Sequence, residues 1–567
     1  MPAIGYGFVW DDIPLIAHNP LLRGRGTLGR LLLSDFWAAS GLHTGFWRPL
    51  VSFSYWLDAR LFHWAPAGFH AMNIAAHSAA SAAVALIVGQ SGLGSAAALV
   101  AGLWFTLLPA HVEPVASVSG RTDVYSAALT LLAFWLDRRA RQAGRRFPGW
   151  GAVAASALAL LAKEASVALL PLLALAEWVE CSRARAAPGA RAGSLRWLSP
   201  YLLIWVAYLA LHVVIVPLGG ANAGVDPAMI PRARWCTGLE FPAHLAFLWP
   251  WTGHAPGPVL HLPERPWSPD VLASLAFQIG FVAWLAFMVA RRSALAVPIA
   301  LVWLPFLPIS AVGLGYGRVL FAERFVYLPS AGAAWLLGAV VAAAWRTRSR
   351  ADAGPIALLP AWVGTGLTAA LVAAGAIRSA TALPMWRDER SVFGSMAAQR
   401  PENPIGHAWW ARLLATEGQL ERARAEVRRA RELDPKLPLT DLVEAWIELI
   451  GGRAAEAVPF LSRALSDPQI ALSGETHYEL GLAEAELQHL REARVEFERA
   501  VSLDPTHYDA WLRLALTSHL FGDSATRDAA LARAAVLPEA SDGRVEKLRR
   551  QIAALPVRAP AARPKPR

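Results

Sequence analysis

Between residues 71 and 376 the chain repeats apolar runs about as long as a bilayer is thick, separated by short polar breaks. Such a run satisfies its backbone inside hydrocarbon only as a helix, so the pattern restricts this region to a bundle of membrane-spanning helices. Spans are expected at about 71–88, 95–110, 114–136, 149–162, 165–180, 197–218, 271–290, 294–316, 325–345 and 355–376. The apolar piece at 239–251 is too short to cross and reads as re-entrant or interfacial. Composition agrees, with 55% hydrophobic residues, 17% charged residues and 25 Trp, whose indole rings favour the membrane interface.

A net charge of +10 raises the question of nucleic acid, and the placement of the charge answers it. Of 53 basic residues only four are Lys, and the Arg residues of the apolar region gather in clusters. They stand at Arg138, Arg139, Arg141, Arg145 and Arg146; at Arg183, Arg185, Arg191 and Arg196; at Arg291 and Arg292; and at Arg346, Arg348 and Arg350. If the stretch 149–180 holds two spans that turn at Lys163 and Glu164, all these clusters share one side, cytoplasmic by the positive-inside rule. One long span would divide them. Two spans are therefore expected, and the basicity marks topology rather than a nucleic-acid partner. The opposite face receives 8–70, 111–123, the Lys163/Glu164 turn and 316–324, and everything from Ser379 onward. The two cysteines, Cys181 and Cys236, form neither a disulfide framework nor a metal-ligand spacing.

Beyond residue 378 the pattern changes. The stretches "EGQLERARAEVRRARELDP" (417–435), "GGRAAEAVPFLSRALSDP" (451–468) and "HLREARVEFERAVSLDP" (489–505) are self-similar, and 511–538 repeats them more loosely. Ala430, Ala464, Ala500 and Ala534 mark equivalent positions at spacings of 34, 36 and 34 residues. This is the period of the tetratricopeptide repeat, in which small residues let paired helices approach. Such repeats stack into a superhelix with a concave surface. The expected layout is a membrane domain over 1–378, a junction over 379–404, repeats over 405–540, and a final helix and basic tail over 541–567.

Soluble-enzyme motifs are lacking. "GRGTLG" (24–29) fits a dinucleotide fingerprint but has no βαβ unit around it. What remains are ionisable groups at the face opposite the Arg clusters. Asp11 and Asp12 stand together in "FVWDDIP" (8–14), and "PAHVEPVASVSGRTDVY" (109–125) brings His111, Glu113, Arg121 and Asp123 to one boundary. Lys163 adjoins Glu164, and "RVLFAERFVYLPS" (318–330) supplies Arg318, Glu323 and Arg324. Arg48 joins them, as do His70, Asn73 and His77, which share one helical face. Each also has a structural reading. The acid pair suits a helix end, Lys163 and Glu164 suit an ion pair, the histidines suit packing, and Arg121 or Arg324 suits a loop anchor. Together they are harder to dismiss, because charges near a bilayer are costly and these collect on one side.

The segments "FVWDDIPLIAHNP", "WRPL", "FHAMNIAAH", "HVEPVASVSGRTDVY", "AKE" and "AERFVYLPS", in this order, resemble the landmarks of the transmembrane and tetratricopeptide-repeat O-mannosyltransferases. These are membrane glycosyltransferases of the GT-C class. "MWRDERSVFGSMAAQRPENP" (385–404) resembles their junction. The resemblance implies an all-α fold, a polytopic GT-C-type helix bundle followed by a tetratricopeptide-repeat α-solenoid. It implies an enzyme that moves a sugar, mannose or a similar hexose, from a polyprenyl-phosphate donor to a protein hydroxyl. Catalysis would lie on the periplasmic face of a bacterial inner membrane, with the repeats periplasmic and binding the acceptor or a partner protein. Asp11 or Asp12 would be the catalytic base. Arg48, Arg121, Lys163, Arg318 and Arg324 would hold the donor phosphate, and His111, Glu113, Asp123, Glu164 and Glu323 would support the acceptor or these cations. No cofactor is implied with certainty, and a divalent metal is left open. One departure is Leu108, which stands where the family's His-Pro-x-His-x-Glu element begins with His.

The family pattern also places a full helix before the acid pair, whereas about ten residues precede Asp11 here. A longer start is therefore expected. Two other readings stay open: a membrane-anchored repeat scaffold without catalysis, and a lipid or solute transporter. An anchor needs only one or two helices, and no inverted repeat of the transporter kind is visible.

Overall fold

The computed structural model describes residues 2–24, 27–40, 44–184, 195–216, 269–306, 322–346, 361–467, 470–537, 540 and 542–555. Among these residues there is no strand, and the fold is all-α. The chain divides into two compact units, Met1–Phe36 with Thr44–Ser395 and Trp37–His43 with Met396–Arg567.

The first unit is a bundle built on the helices Pro49–Leu61, Pro66–Gln90, Ser95–Leu107, Arg121–Gln142, Trp150–Ala162, Leu169–Ala184, Leu195–Ile215, Pro269–Ala290, Ala296–Trp303, Tyr327–Arg346 and Ala361–Ala382. Five helices among the described residues are long and apolar enough to cross a membrane, or six if the bent pair Ser95–Thr106 and Pro109–Ala116 is one span. Trp150–Ala162 and Leu275–Ala290 are apolar but shorter. The interior is filled by small and branched residues, including Ala80, Val84, Ala101, Ala127, Leu131, Ala300 and Ala331, each at most 3% exposed. Alanines at such contacts let helices pack closely where no hydrophobic force drives them together.

Two boundaries differ from the sequence expectation. The helix expected from 114 starts at Arg121, because Val112–Ala116 is a separate short helix within the segment Pro109–Ala116, which is bent by 54° from Ser95–Thr106. The polar stretch Ser117–Gly120 then turns the chain before helix resumes. Gly120 is required there, since a Cβ would lie 2.4 Å from the Pro114 backbone. The helix around 149–180 does break at Lys163, whose extended backbone ends Trp150–Ala162 and leads into the turn Glu164–Ala168. The apolar piece at 239–251 and the part 307–316 of the span expected at 294–316 lie outside the described residues.

At one end of the bundle the arginines meet partners. Asp137 accepts from Trp197 Nε1 at 2.9 Å, from the Tyr201 hydroxyl at 2.7 Å and from Arg138. Arg138 and Arg141 also pair with Glu177, and Arg183 Nε donates to the Arg292 carbonyl at 2.8 Å. Three of the sequence clusters thus converge. Arg121 and Asp123 begin the same helix that Arg138 and Arg141 end, and at about 1.5 Å per residue this separates them by roughly a bilayer core.

The second unit contains four helix pairs, Pro404–Thr416 with Leu420–Leu433, Pro438–Ile450 with Ala454–Ala464, Gly474–Glu486 with Leu490–Leu503, and Tyr508–Leu520 with Ser524–Ala535. Arg544–Ala554 follows them. Ala430, Ala464, Ala500 and Ala534 are all fully buried. A left-handed residue closes the turn inside each pair: Gly418, Gly452, Gln488 and Gly522, with φ of 78°, 70°, 64° and 72°. Only the third turn places a side chain in that conformation, which glycine adopts without steric cost.

Glu479 is unusual in this unit. Its carboxylate accepts from Trp446 Nε1, while its Oε2 is buried without a partner. Burial, with Glu475 nearby, pushes its pKa up to about 8. The folded repeats therefore hold this proton more tightly than the unfolded chain, which releases it near about 4.3. Stability is fullest below that value and declines as pH rises toward 8. Hydrogen exchange of Gly474–Glu486, corrected for intrinsic rates, should show protection falling over this window. Glu479→Gln should flatten the decline; an unchanged slope in that variant would assign it to another group.

Candidate active site

Asp11 and Asp12 follow Trp10, whose φ of 48° turns the chain into the left-handed region. An aromatic residue reaches that conformation only under constraint from its surroundings. Beyond this turn the two carboxylates have different partners. Asp12 is fully buried and accepts from Val9 N, Val118 N and the Ser117 hydroxyl, each at 3.2 Å, and from Ser119 N at 2.6 Å. Burial pushes its pKa up while these backbone donors oppose the rise. Asp11 keeps 23% of its side chain exposed and faces Arg324 Nη1 at 3.7 Å, an ion-pair distance beyond a hydrogen bond. Its pKa is also raised, mainly by desolvation, with Arg324 pulling it down and the charge of Asp12 pushing it up.

Arg324 lies in the turn Glu323–Val326 that leads into the helix Tyr327–Arg346. Its Nη1 also donates to Glu113 Oε1 at 3.3 Å, so one guanidinium sits between Asp11 and Glu113. Its side chain is 28% exposed, against 9% for Arg48 and 4% for Lys163. The Phe325 ring lies 6.0 Å from the Arg324 guanidinium and 5.3 Å from the Lys163 ammonium, joining two neighbouring ion pairs. Lys163 Nζ donates to Asp123 at 2.6 Å, and Arg48 grips Glu164 with two bonds of 3.2 and 2.7 Å. The extended backbone at Lys163 sends adjacent side chains to different partners, as in a strand.

His111 is buried against Phe105 and Tyr327, at ring distances of 4.4 and 4.3 Å. The Ser330 hydroxyl donates to the Tyr327 carbonyl at 2.6 Å, so it accepts from His111 Nε2 at 2.8 Å. That makes Nε2 the protonated nitrogen and leaves Nδ1 buried without a partner. His77 donates from Nε2 to the Thr106 carbonyl at 3.1 Å and accepts on Nδ1 from the Tyr327 hydroxyl at 2.6 Å. Among the described residues no group of three or more His, Cys, Asp and Glu is placed to hold a metal ion.

Arg121 is placed elsewhere than the sequence suggested. It is fully buried, donating to Asn73 Oδ1 at 2.7 Å, Asp58 Oδ2 at 2.6 Å, the Ser54 hydroxyl at 3.0 Å and the Phe69 carbonyl at 2.9 Å. Its charge is met by Asp58 and its fork has no exposed face, so it does not join the cluster around Arg324. Arg318 lies outside the described residues, and Glu323 is buried beside Arg324. Sequence reading missed Asp58, Tyr55 and the serines of 117–119. Asp58, an acid directly after the apolar "YWL" (55–57), was the available signal.

Fold and site together define a helical membrane protein with an ionic cluster at one end of its bundle and a tetratricopeptide-repeat unit. The curated relatives it is similar to are protein O-mannosyl-transferases. Tmtc1 of Drosophila melanogaster is 26% identical over 516 residues, covering 74% of this chain and 58% of that protein. Tmtc2 of the same fly is 36% identical over 30% of this chain and 19% of that protein, and human TMTC4 is 34% identical over 22% and 19%. The chain thus spans little more than half the length of the first and about a fifth of the others. No family model matches the chain. Among solved structures, a thermophilic tetratricopeptide-repeat protein of Thermus thermophilus shares 18% identity over 33% of this chain and 95% of its own, with a TM-score of 0.24. The Cut9–Hcn1 assembly gives 13%, 78% and 87%, with a TM-score of 0.28.

Proposed function

We propose that the chain is a GT-C-type glycosyltransferase that moves mannose or a similar hexose from a polyprenyl-phosphate donor to a protein hydroxyl. The observation that supports this most is the unequal state of the acid pair. Asp12 has its acceptor sites filled by four donors, while Asp11 is partly exposed beside the most accessible arginine of the cluster. Asp11 takes the proton of the acceptor hydroxyl as that oxygen bonds to the anomeric carbon. The bond from that carbon to the phosphate oxygen breaks, and the polyprenyl phosphate leaves with the electron pair. Arg324 offsets the charge that grows on the phosphate, and Glu113 holds Arg324 in place. Arg48 and Lys163, each bound to a carboxylate, hold the turn around Glu164 in register.

The site lies at the bundle end opposite the converging arginine clusters. Under the positive-inside rule those are cytoplasmic, so transfer would occur on the outer, periplasmic face of an inner membrane. The repeats, which form concave surfaces in such solenoids, would present the protein acceptor. The test is transfer from a short-chain polyprenyl-phosphomannose to a membrane-impermeant Ser/Thr peptide by intact spheroplasts. Product on the outside supports both the activity and its face. Product only after lysis overturns the sidedness, and none in either preparation overturns the activity.

Arg324→Gln should raise the KM for the lipid donor by about 10- to 100-fold, since a charge-assisted contact contributes about 1.5–3 kcal/mol. Initial rates across donor concentration check this. An unchanged donor KM would leave Arg324 as an anchor for Glu113.

A further inference from the structure

We infer that Tyr55, Asn73 and the Arg121–Asp58 pair are positioning residues, a buried frame that fixes the turn Ser117–Gly120 and, through Asp12, the Asp11 carboxylate. This rests on the proposed role of Asp11 as base. The turn is held from two sides. Its donors, the Ser117 hydroxyl and the N–H groups of Val118 and Ser119, go to Asp12. Its carbonyls are taken from the other side. Asn73 Nδ2 donates to Ser117 O at 3.1 Å and Val118 O at 3.4 Å, and the Tyr55 hydroxyl donates to Val118 O at 3.1 Å.

Asn73 is in turn oriented by Arg121 Nε, and Arg121 by Asp58, Ser54 and the Phe69 carbonyl. Gly120 closes the turn directly against Pro114, the neighbour of Glu113. One frame therefore reaches both carboxylates that flank Arg324, Asp11 through Asp12 and Glu113 through Pro114. Tyr55, Asp58, Asn73 and Arg121 are each at most 1% exposed, so none touches a substrate. A buried ion pair adds little net stability over apolar residues of equal volume. A chain of directional bonds does hold a proton-accepting carboxylate in place, and a misplacement of about 1 Å can cost about 10²-fold in rate.

The test uses the full chain in lipid nanodiscs with polyprenyl-phosphomannose and a Ser/Thr peptide, followed across pH. Asn73→Ala should lower kcat by about 10- to 100-fold, and Tyr55→Phe by less, with the donor KM changed little. In both, the acid limb of kcat/KM should move to lower pH. A loosened Asp11 gains water, and the desolvation that raises its pKa above the usual carboxylate range is relieved, although Arg324 and Asp12 still face it. A merely structural role would lower thermal stability without moving that limb. Tyr55→Phe removes one oxygen and decides the matter if Asn73→Ala does not fold. An unchanged kcat and acid limb in Tyr55→Phe, matched by any folded Asn73→Ala, overturns the frame. Asp11→Asn, run in parallel, separates the two ideas: its inactivity with an unaffected Tyr55→Phe rejects the frame alone, and its full activity rejects the base and the frame together.

Discussion

Asp11→Asn is expected to reduce sugar transfer by about 10²–10⁴-fold, the usual worth of a positioned general base. The chain should remain folded and membrane-bound, because Asp11 is partly exposed and meets Arg324 only at ion-pair distance. The wild-type rate should rise with pH through the pKa of Asp11, since only the ionised carboxylate accepts a proton. Desolvation places that rise above the usual carboxylate range. The acid limb should vanish in Asp11→Asn. Asp12→Asn should behave differently. Its amide NH2 would face either the N–H groups of Val9 and Val118 or that of Ser119, so both the amount of folded protein and the rate should fall. Initial rates and detergent-extracted yields of the two variants, measured together, check this. Full transfer by Asp11→Asn would remove it from the mechanism.

Arg121→Ala is expected to destabilise the chain by about 3–5 kcal/mol, the typical result of stripping one partner from a buried ion pair. Asp58 would keep a buried charge, and Asn73 would lose the donor that orients it. Arg121→Met combined with Asp58→Leu should recover much of that loss, because neither charge then remains to be desolvated. Thermal unfolding of the solubilised protein reads both effects. A stable Arg121→Ala whose only defect is a raised donor KM would return this arginine to the phosphate-binding set. The contrast with Arg324→Gln separates an arginine enclosed by the fold from one open to a ligand.

Much of the architecture was legible because it depends on periodicity. Apolar runs of bilayer length, a charged Lys163–Glu164 step in the middle of one such run, and alanines at near-constant spacing are local patterns. Local patterns translate into helices, a break and stacked pairs. The helix start near 114 was misplaced because hydropathy does not register the bend at Pro109–Ala116 or the turn that Gly120 permits against Pro114.

The sequence by itself determined which groups are ionisable, that they gather at the face opposite the arginine clusters, and that two adjacent carboxylates stand near the start of the chain. Only the tertiary structure decided what each group does. Asp12 is bound by residues more than a hundred positions away, Arg324 meets Glu113 across 211, and Arg121 is enclosed by side chains from two other helices. Charge and residue type are properties of a position in the chain. Whether a carboxylate is free to take a proton, or an arginine to hold a phosphate, depends on how many of its hydrogen-bonding sites the fold has already filled. Contacts between distant segments settle that number, and Asp11 and Asp12, side by side in the chain, differ because of it.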